Sequence, residues 1–399
     1  MTKHICSNCQ QAELSVFYEV KNVPAHSVLL MRTREQALGY PTGTILLGFC
    51  ENCGFISNVA FDLSLNEYSE EYEATQSYSP TFNKFNRALA QRLFDTYELQ
   101  DKKIIEIGCG HGEFLILLSE LGLNEGVGFD PAYLEDRIQH PAKEKITFIQ
   151  DFYSEKYADV EGEFIVCKMT LEHIPDTADF LATVRQSIGD RIGTRLFFQI
   201  PNASYVMRDI AFWDIYYEHC SYFSKASLAY LFLSTGFDVL DLFTDYNDQY
   251  LMIEASAVAG QGSMDQPMQP LFDDISKDVA YFAANIQGRL DSWRATLGLM
   301  KNKGRKVVLW GSGSKGVAFL TTLNVPGAIE YVVDINPNRH GTFLARIGCE
   351  IVGPEFLPAY KPDAVIIMNP VYTPEISAQL KELGLSPEVL TVDTPLVTV

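Results

Sequence analysis

Three glycines at alternate positions, Gly108, Gly110 and Gly112, follow the apolar run Lys103-Ile-Ile-Glu-Ile107 and lead into Glu113-Phe-Leu-Ile-Leu-Leu-Ser-Glu120. Twenty residues beyond Gly110, a second run, Gly126-Val-Gly-Phe129, ends on Asp130. Residues without a Cβ let backbone N–H groups approach a ligand closely, and an acid at the tip of the next strand can accept both ribose hydroxyls. The pattern predicts a nucleoside pocket. Its spacing is E-x-G-x-G-x-G, not the G-x-G-x-x-G that aims a helix N-terminus at a pyrophosphate. Glu106 suits a cationic ligand and would repel a diphosphate.

A second constellation is Phe212-Trp-Asp-Ile-Tyr-Tyr-Glu-His-Cys-Ser-Tyr-Phe-Ser224, where ionisable and phenolic groups stand among large aromatics that exclude water and tune a base. If the segment is helical, Tyr216 and His219 share a face at i,i+3 and Glu218 meets Tyr222 at i,i+4. Glu218 and His219, as neighbours, point apart in any regular geometry. The glycine turn resembles motif I of the class I S-adenosylmethionine-dependent methyltransferases. A sulfonium gives up its methyl group readily, so such an enzyme must chiefly align an acceptor and remove a proton. An oxygen or nitrogen acceptor needs little help. A carbon acceptor must become an enolate, which needs a base near neutrality and a donor for the oxyanion. His219 as base and Tyr216 as donor meet that demand.

Four of the eight cysteines form two C-x-x-C knuckles, Cys6-Ser-Asn-Cys9 and Cys50-Glu-Asn-Cys53, a strong signature for one tetrahedral structural zinc. The span between them predicts an inserted strand or hairpin. A redox dithiol is the rival reading of either pair alone. Cys109, Cys167, Cys220 and Cys349 are scattered and read as small core or pocket residues. The net charge of −20 argues against nonspecific nucleic-acid binding and against adhesion to anionic membranes, both of which need dense Lys and Arg. The N-terminus carries no apolar signal core and no stretch is long and apolar enough to span a bilayer, so the expected location is the cytoplasm.

At 399 residues the chain predicts two or three domains. Residues 1–66 form the knuckle module, with strands expected at Thr44–Phe49 and Phe55–Phe61. Residues 67–259 open with Tyr68, Tyr72 and Tyr78 and a helix from Ser79 to Leu93. Strands then alternate with helical patterns, including Ile146–Ile149, Phe164–Met169 and Arg195–Ile200, the signature of a doubly wound parallel sheet. Ligands in such sheets sit beyond the strand C-termini. Asp151 is placed there to meet an adenine amino group or, alternatively, to cap a helix. Residues 260–270 read as a linker, opening the third segment, 260–399. After it, Val279, Phe282, Ile286, Leu290, Trp293, Leu297 and Met300 mark one long amphipathic helix whose stripe is a core seam. Lys306–Trp310, Gly311-Ser-Gly-Ser-Lys-Gly316 and the strand Ile329–Asp334 then make a dinucleotide-type fingerprint.

In this order the knuckles, motif I, the Tyr-x-Glu-His segment and the second glycine turn resemble the nucleotide-sugar C-methyltransferase family of deoxysugar biosynthesis, over essentially the whole chain. The resemblance implies an α/β fold: a small N-terminal zinc-binding module, a central class I methyltransferase Rossmann-like sheet, and a C-terminal Rossmann-like domain that holds the substrate and no dinucleotide. It implies methylation beside a 4-keto group of a nucleotide sugar, with S-adenosyl-L-methionine as cofactor and Zn2+ as structural ion. The family's Tyr-Asp-Glu-His tetrad falls on Tyr216, Tyr217, Glu218 and His219, with Tyr217 in the Asp position, a departure that bears on the substrate more than on the reaction. The family's other histidine falls on His173, and its pocket tyrosine on Tyr72 or Tyr78. The expected cofactor set is Glu106, Gly108, Gly110, Gly112, Asp130, Pro131, Asp151, Phe152 and Thr170; the metal set is Cys6, Cys9, Cys50 and Cys53. The partners expected are a small-molecule substrate and, at most, a second copy of the chain.

Two other classes remain open on sequence. One is a nicotinamide-dependent oxidoreductase, or a bifunctional enzyme, using Gly311–Gly316 and Asp334; Lys315 inside the loop counts against it. The other is a zinc-bearing interaction module on a methyltransferase shell.

Overall fold

The computed structural model describes residues 4–65 and 71–394. Tyr68 and the expected boundary at 66/67 lie outside the described residues. The knuckle segment contributes strands β1 (Leu14–Pro24), β2 (Thr42–Cys50) and β3 (Ile56–Asn58) to an antiparallel sheet. The inserted strand is β1. The run expected to extend to Phe61 pairs over only three residues.

The central sheet takes β4 (Lys103–Ile107), β5 (Glu125–Phe129), β6 (Ile146–Ile149), β7 (Phe164–Lys168) and β8 (Arg195–Pro201) in parallel. Next, β9 (Ser221–Tyr222) leaves to pair with β3, and β10 (Phe237–Asp245) and β11 (Tyr250–Ala257) close the sheet antiparallel against β8. The spatial order is β10-β11-β8-β7-β4-β5-β6. β4 and β7 are apolar and buried because helices cover both faces of a parallel sheet. Chain order reverses around β4, so the turn after it opens at a switch point.

The third sheet is parallel, built from β12 (Val307–Trp310), β13 (Tyr331–Val333), β14 (Glu350–Val352), β15 (Ala364–Ile367) and β16 (Glu388–Thr391) in the order β14-β13-β12-β15-β16. Its switch point lies after β12, at Gly311. The mixed α/β architecture is the expected one.

The linker is shorter than expected: the helix begins at Met268 and runs to Asn302, with Pro270 tolerated in its first turn, where N–H groups lack intrahelical partners. Its stripe is a seam. Phe282 meets Tyr18 of β1 edge-on at 5.3 Å, and Trp293 meets Phe319 of the helix Ser314–Leu323 at 5.0 Å. One apolar core therefore runs through all three segments. The helix Pro80–Tyr97 starts where Ser79 accepts the Phe82 N–H, with Pro80 in its first turn. Among the described residues no helix is long and apolar enough to cross a membrane.

Candidate active site

Beyond the C-terminal ends of β4, β5 and β7 lies a cavity of about 860 Å³, lined by Glu106, Gly108, Gly110, Asp130, Pro131, Asp151, Phe152 and Thr170. Gly108 has a φ of +71°, and a Cβ there would lie 1.9 Å from the Thr170 hydroxyl, so both backbone and space demand glycine. Gly112 does not line the cavity. It caps the helix Glu113–Gly122 at a φ of +89°, where a side chain would strike Phe148.

Asp130 accepts the Gly110 N–H and the Ala132 N–H, each at 2.8 Å, which fixes its carboxylate at the rim of the turn. Burial raises its pKa above the ordinary carboxylate value, against the pull of those two bonds. Asp151 caps no helix. It accepts from Tyr157 Oη at 2.6 Å, Lys156 Nζ at 2.9 Å and the Phe152 N–H at 2.8 Å, and the first two hold its pKa down to about 2. Phe152 is 60% exposed at the cavity mouth. Glu106 is buried, its Oε2 has no hydrogen-bond partner among the described residues, and burial pushes its pKa up to about 8 while Lys168 pulls the other way.

A second cavity, of about 300 Å³, shares Tyr72, Thr75, Gln76, Met169 and His173 with the first and is lined by Tyr216, Glu218 and His219. The Tyr216–His219 segment is a turn closed by the His219 N–H on the Tyr216 carbonyl at 3.2 Å, not a helix. The pairing survives the change: the Tyr216 and His219 rings lie 4.1 Å apart. Glu218 does not reach Tyr222 in helical register. Its Oε1 accepts the Ser27 N–H at 3.1 Å and the Ser27 hydroxyl, and His26 Nδ1 is 3.9 Å away. Burial raises Glu218 to about 7.

His219 is 4% exposed, and burial, then His173 and Lys315, hold its pKa well below 6.5. It is neutral at neutral pH. Its Nε2 lies 3.9 Å from Glu172 Oε1, and its ring lies 4.8 Å from that of His173. Neither Glu172 oxygen has a hydrogen-bond partner among the described residues, and burial lifts its pKa to about 8.

Tyr217 does not face either cavity. Its ring packs on Gly43, where a Cβ would sit 2.1 Å from it, and its hydroxyl accepts the Asp62 N–H at 2.8 Å. The expectation that this position bears on the substrate is therefore corrected: a tyrosine long enough to reach β2 and the chain after β3 turns away from both cavities and is buried where it joins the knuckle sheet to the site. Tyr78 lines the second cavity, half-exposed, with its hydroxyl bonded to Asn338 Nδ2 at 2.9 Å.

The second glycine turn borders this same cavity. Asp334 accepts from the Ser312 N–H at 3.0 Å, Arg339 donates to the Ser312 carbonyl at 3.1 Å, and Lys315 is 2.5 Å from Asp214 and 3.2 Å from Gln249. In the knuckle segment, Cys6 and Cys53 place sulfurs 3.7 Å apart and Cys9 and Cys50 3.6 Å apart, all four buried. A tetrahedron of about 2.3 Å Zn–S bonds has edges of about 3.8 Å, so the donor set fits zinc. Asn8 donates to Cys53 Sγ at 3.6 Å and to the Ser227 carbonyl at 3.0 Å, tying the knuckles to the central domain.

Sequence reasoning passed over Lys168, Glu172 and Asp214. Signals existed. Lys168 is a lone charge closing an apolar strand, and Glu172 precedes the singled-out His173. Met169, between them, has a φ of +52° and lines both cavities, strained backbone of the kind that collects at functional sites.

Residues 81–242 match the family model described as a methyltransferase domain, and residues 274–386 match the one described as a C-methyltransferase C-terminal domain. With the glycine turn and its cavity in place, the chain is a class I S-adenosylmethionine-dependent C-methyltransferase. The C-methyltransferase NovU of Streptomyces niveus is 24% identical over 294 residues, 70% of this chain and 69% of that protein. Solved structures matched over part of the chain include the magnesium protoporphyrin IX methyltransferase of Synechocystis PCC 6803 with bound SAM, at 15% identity and a TM-score of 0.32 over 44% of this chain and 80% of that one. Another is the Burkholderia thailandensis 1,6-didemethyltoxoflavin-N1-methyltransferase, at 14% identity and a TM-score of 0.32 over 44% and 79%.

Proposed function

We propose that this chain methylates a carbon beside the carbonyl of a nucleotide-linked keto sugar, through an enolate. The observation that carries the reading is a neutral, buried His219 in ring contact with Tyr216, in a cavity that opens through a shared wall onto the donor cavity. A carbon acid has no lone pair until a base removes its proton, whereas an oxygen or nitrogen acceptor already carries one to attack with.

In this reading His219 Nδ1 takes the proton from the acceptor carbon, and the Tyr216 hydroxyl donates to the developing oxyanion. Glu172, with Oε1 3.9 Å from Nε2, stands beside the imidazolium that results. Glu218, fixed by Ser27, orients sugar hydroxyls, and Tyr72 and His173 line the path along which the methyl group crosses. In the donor cavity Asp130 receives the ribose, and Asp151, Phe152 and Thr170 enclose the adenine side. The second glycine turn borders the acceptor's nucleotide end, with Lys315 and Arg339 supplying positive charge there. Cys6, Cys9, Cys50 and Cys53 hold one structural Zn2+ and line neither cavity.

The test is incubation with a panel of nucleotide keto sugars in deuterated water without methyl donor. Deuterium entering at one ring carbon, and the methyl group later appearing on that carbon, supports the reading. Turnover that places the methyl group on oxygen or nitrogen overturns it.

A further inference from the structure

Glu172 is 1% exposed and lines the second cavity, and neither of its carboxylate oxygens has a hydrogen-bond partner among the described residues. A carboxyl group taken out of water without a partner is costly, so a buried one calls for an explanation. Two imidazoles stand next to it. His219 Nε2 is 3.9 Å from Glu172 Oε1, the His173 and His219 rings meet edge-on at 4.8 Å, and all three side chains line the same cavity. One ligand atom from each falls within 4.8 Å of the other two.

Two imidazoles and one carboxylate suit Zn2+, Co2+ and their first-row neighbours, whereas Mg2+ and Ca2+ take oxygen ligands. Bonds of about 2.0–2.2 Å set tetrahedral ligand atoms about 3.4 Å apart. Small side-chain rotations bring this trio to that spacing. The Glu218 backbone hydrogen-bonds His173, the kind of outer contact that fixes the ring of a ligating histidine. Burial keeps both histidines neutral, so neither must shed a proton to bind a metal, and Glu172 alone releases one as the cation enters.

We propose that Glu172, His173 and His219 form a metal site separate from the four cysteines, which takes a divalent first-row transition cation and, when occupied, switches the base off. A cation on His219 Nε2 leaves the single proton of the neutral ring on Nδ1, the atom that otherwise takes the proton from the acceptor carbon. Occupancy and proton abstraction therefore exclude each other. The block rests on His219 as the base of the proposed reaction; the site itself does not.

Protein loaded with zinc at the four cysteines is titrated with Co2+ in the absence of acceptor, and the visible ligand-field bands are followed. One further Co2+ per chain is expected, without the thiolate-to-cobalt charge-transfer band of a cysteine site. Glu172→Gln and His173→Asn should each weaken it at least about tenfold. No further Co2+, a thiolate band alone, or unchanged affinity in either variant overturns the site. Should the variants not fold, cobalt X-ray absorption on the wild type decides: nitrogen and oxygen neighbours with the outer scattering of two imidazoles are expected, and sulfur neighbours overturn the assignment. With a nucleotide keto sugar added in deuterated water, saturating Co2+ should slow exchange at the acceptor carbon at least about tenfold, and an unchanged rate overturns the block. Absence of exchange even without Co2+ would instead remove the base assignment and the block with it, while the titration still decides the site.

Discussion

The molecule contains two strand–turn–helix units that look alike and do different work. Each lies at a switch point of a parallel sheet, and each ends its second strand on an aspartate that accepts an N–H from the glycine turn, Asp130 from Gly110 at 2.8 Å and Asp334 from Ser312 at 3.0 Å. Around the first turn lies a cavity of about 860 Å³. Around the second lies the smaller cavity of about 300 Å³, and its cationic side chains are held by the protein: Arg339, 6% exposed, crosses from Ser312 to the Glu73 carbonyl, and Lys315 is tied to Asp214 and Gln249. A glycine fingerprint specifies a turn that brings amides close to something. Whether that something is a ligand or the protein's own side chains depends on residues far away in sequence.

The sharpest way to separate the two units is to remove the base between them. His219→Ala should lower turnover about 10²–10⁴-fold while leaving S-adenosylhomocysteine affinity within a few-fold, because the base acts only in the transition state. Rapid-quench turnover and calorimetry check this, and full activity would take His219 out of the mechanism.

Next is the seam that holds the second unit in place. Trp293 is fully buried, so Trp293→Ala should cost about 3–5 kcal/mol in urea unfolding. A cost under about 1 kcal/mol, the range of surface changes, would mean the third segment is held independently of that helix.

Removal of metal by a chelator should melt the knuckle sheet, seen as loss of amide protection over β1–β3, because the four thiols have no other cross-link. An unchanged exchange pattern would contradict the zinc assignment.

The smallest effect concerns Glu172. Its carboxyl titrates at about 8 in the fold, against an ordinary 4.5. The fold therefore holds a proton that the unfolded chain releases, so this group's contribution to stability is complete below pH 4.5 and is lost as pH rises through about 8. Glu172→Gln should flatten the fall in thermal midpoint over that window. An identical slope in both proteins would show that Glu172 is already ionised.

Much of this was legible in the sequence where function and local pattern coincide. The turn at Gly108 to Gly112 needs positive φ and close approach, so glycine spacing reports it directly. The knuckles and the long amphipathic helix are likewise local signals. What the sequence hid depends on tertiary meeting. Nothing local says that Tyr217 turns toward Gly43, that Glu172 ends 3.9 Å from a histidine 47 positions later, or that Lys168 lines the same cavity as Glu106. The Tyr216–His219 contact was expected for a helical reason and occurs in a turn, since three residues of either geometry bring those rings together.

The most direct test is calorimetric titration of the wild type, Asp130→Ala and Asp334→Asn with S-adenosylhomocysteine and with NAD(H). The account predicts one S-adenosylhomocysteine per chain, weakened at least about tenfold by Asp130→Ala and unaffected by Asp334→Asn, with no heat from NAD(H). NAD(H) binding that disappears in Asp334→Asn would contradict it.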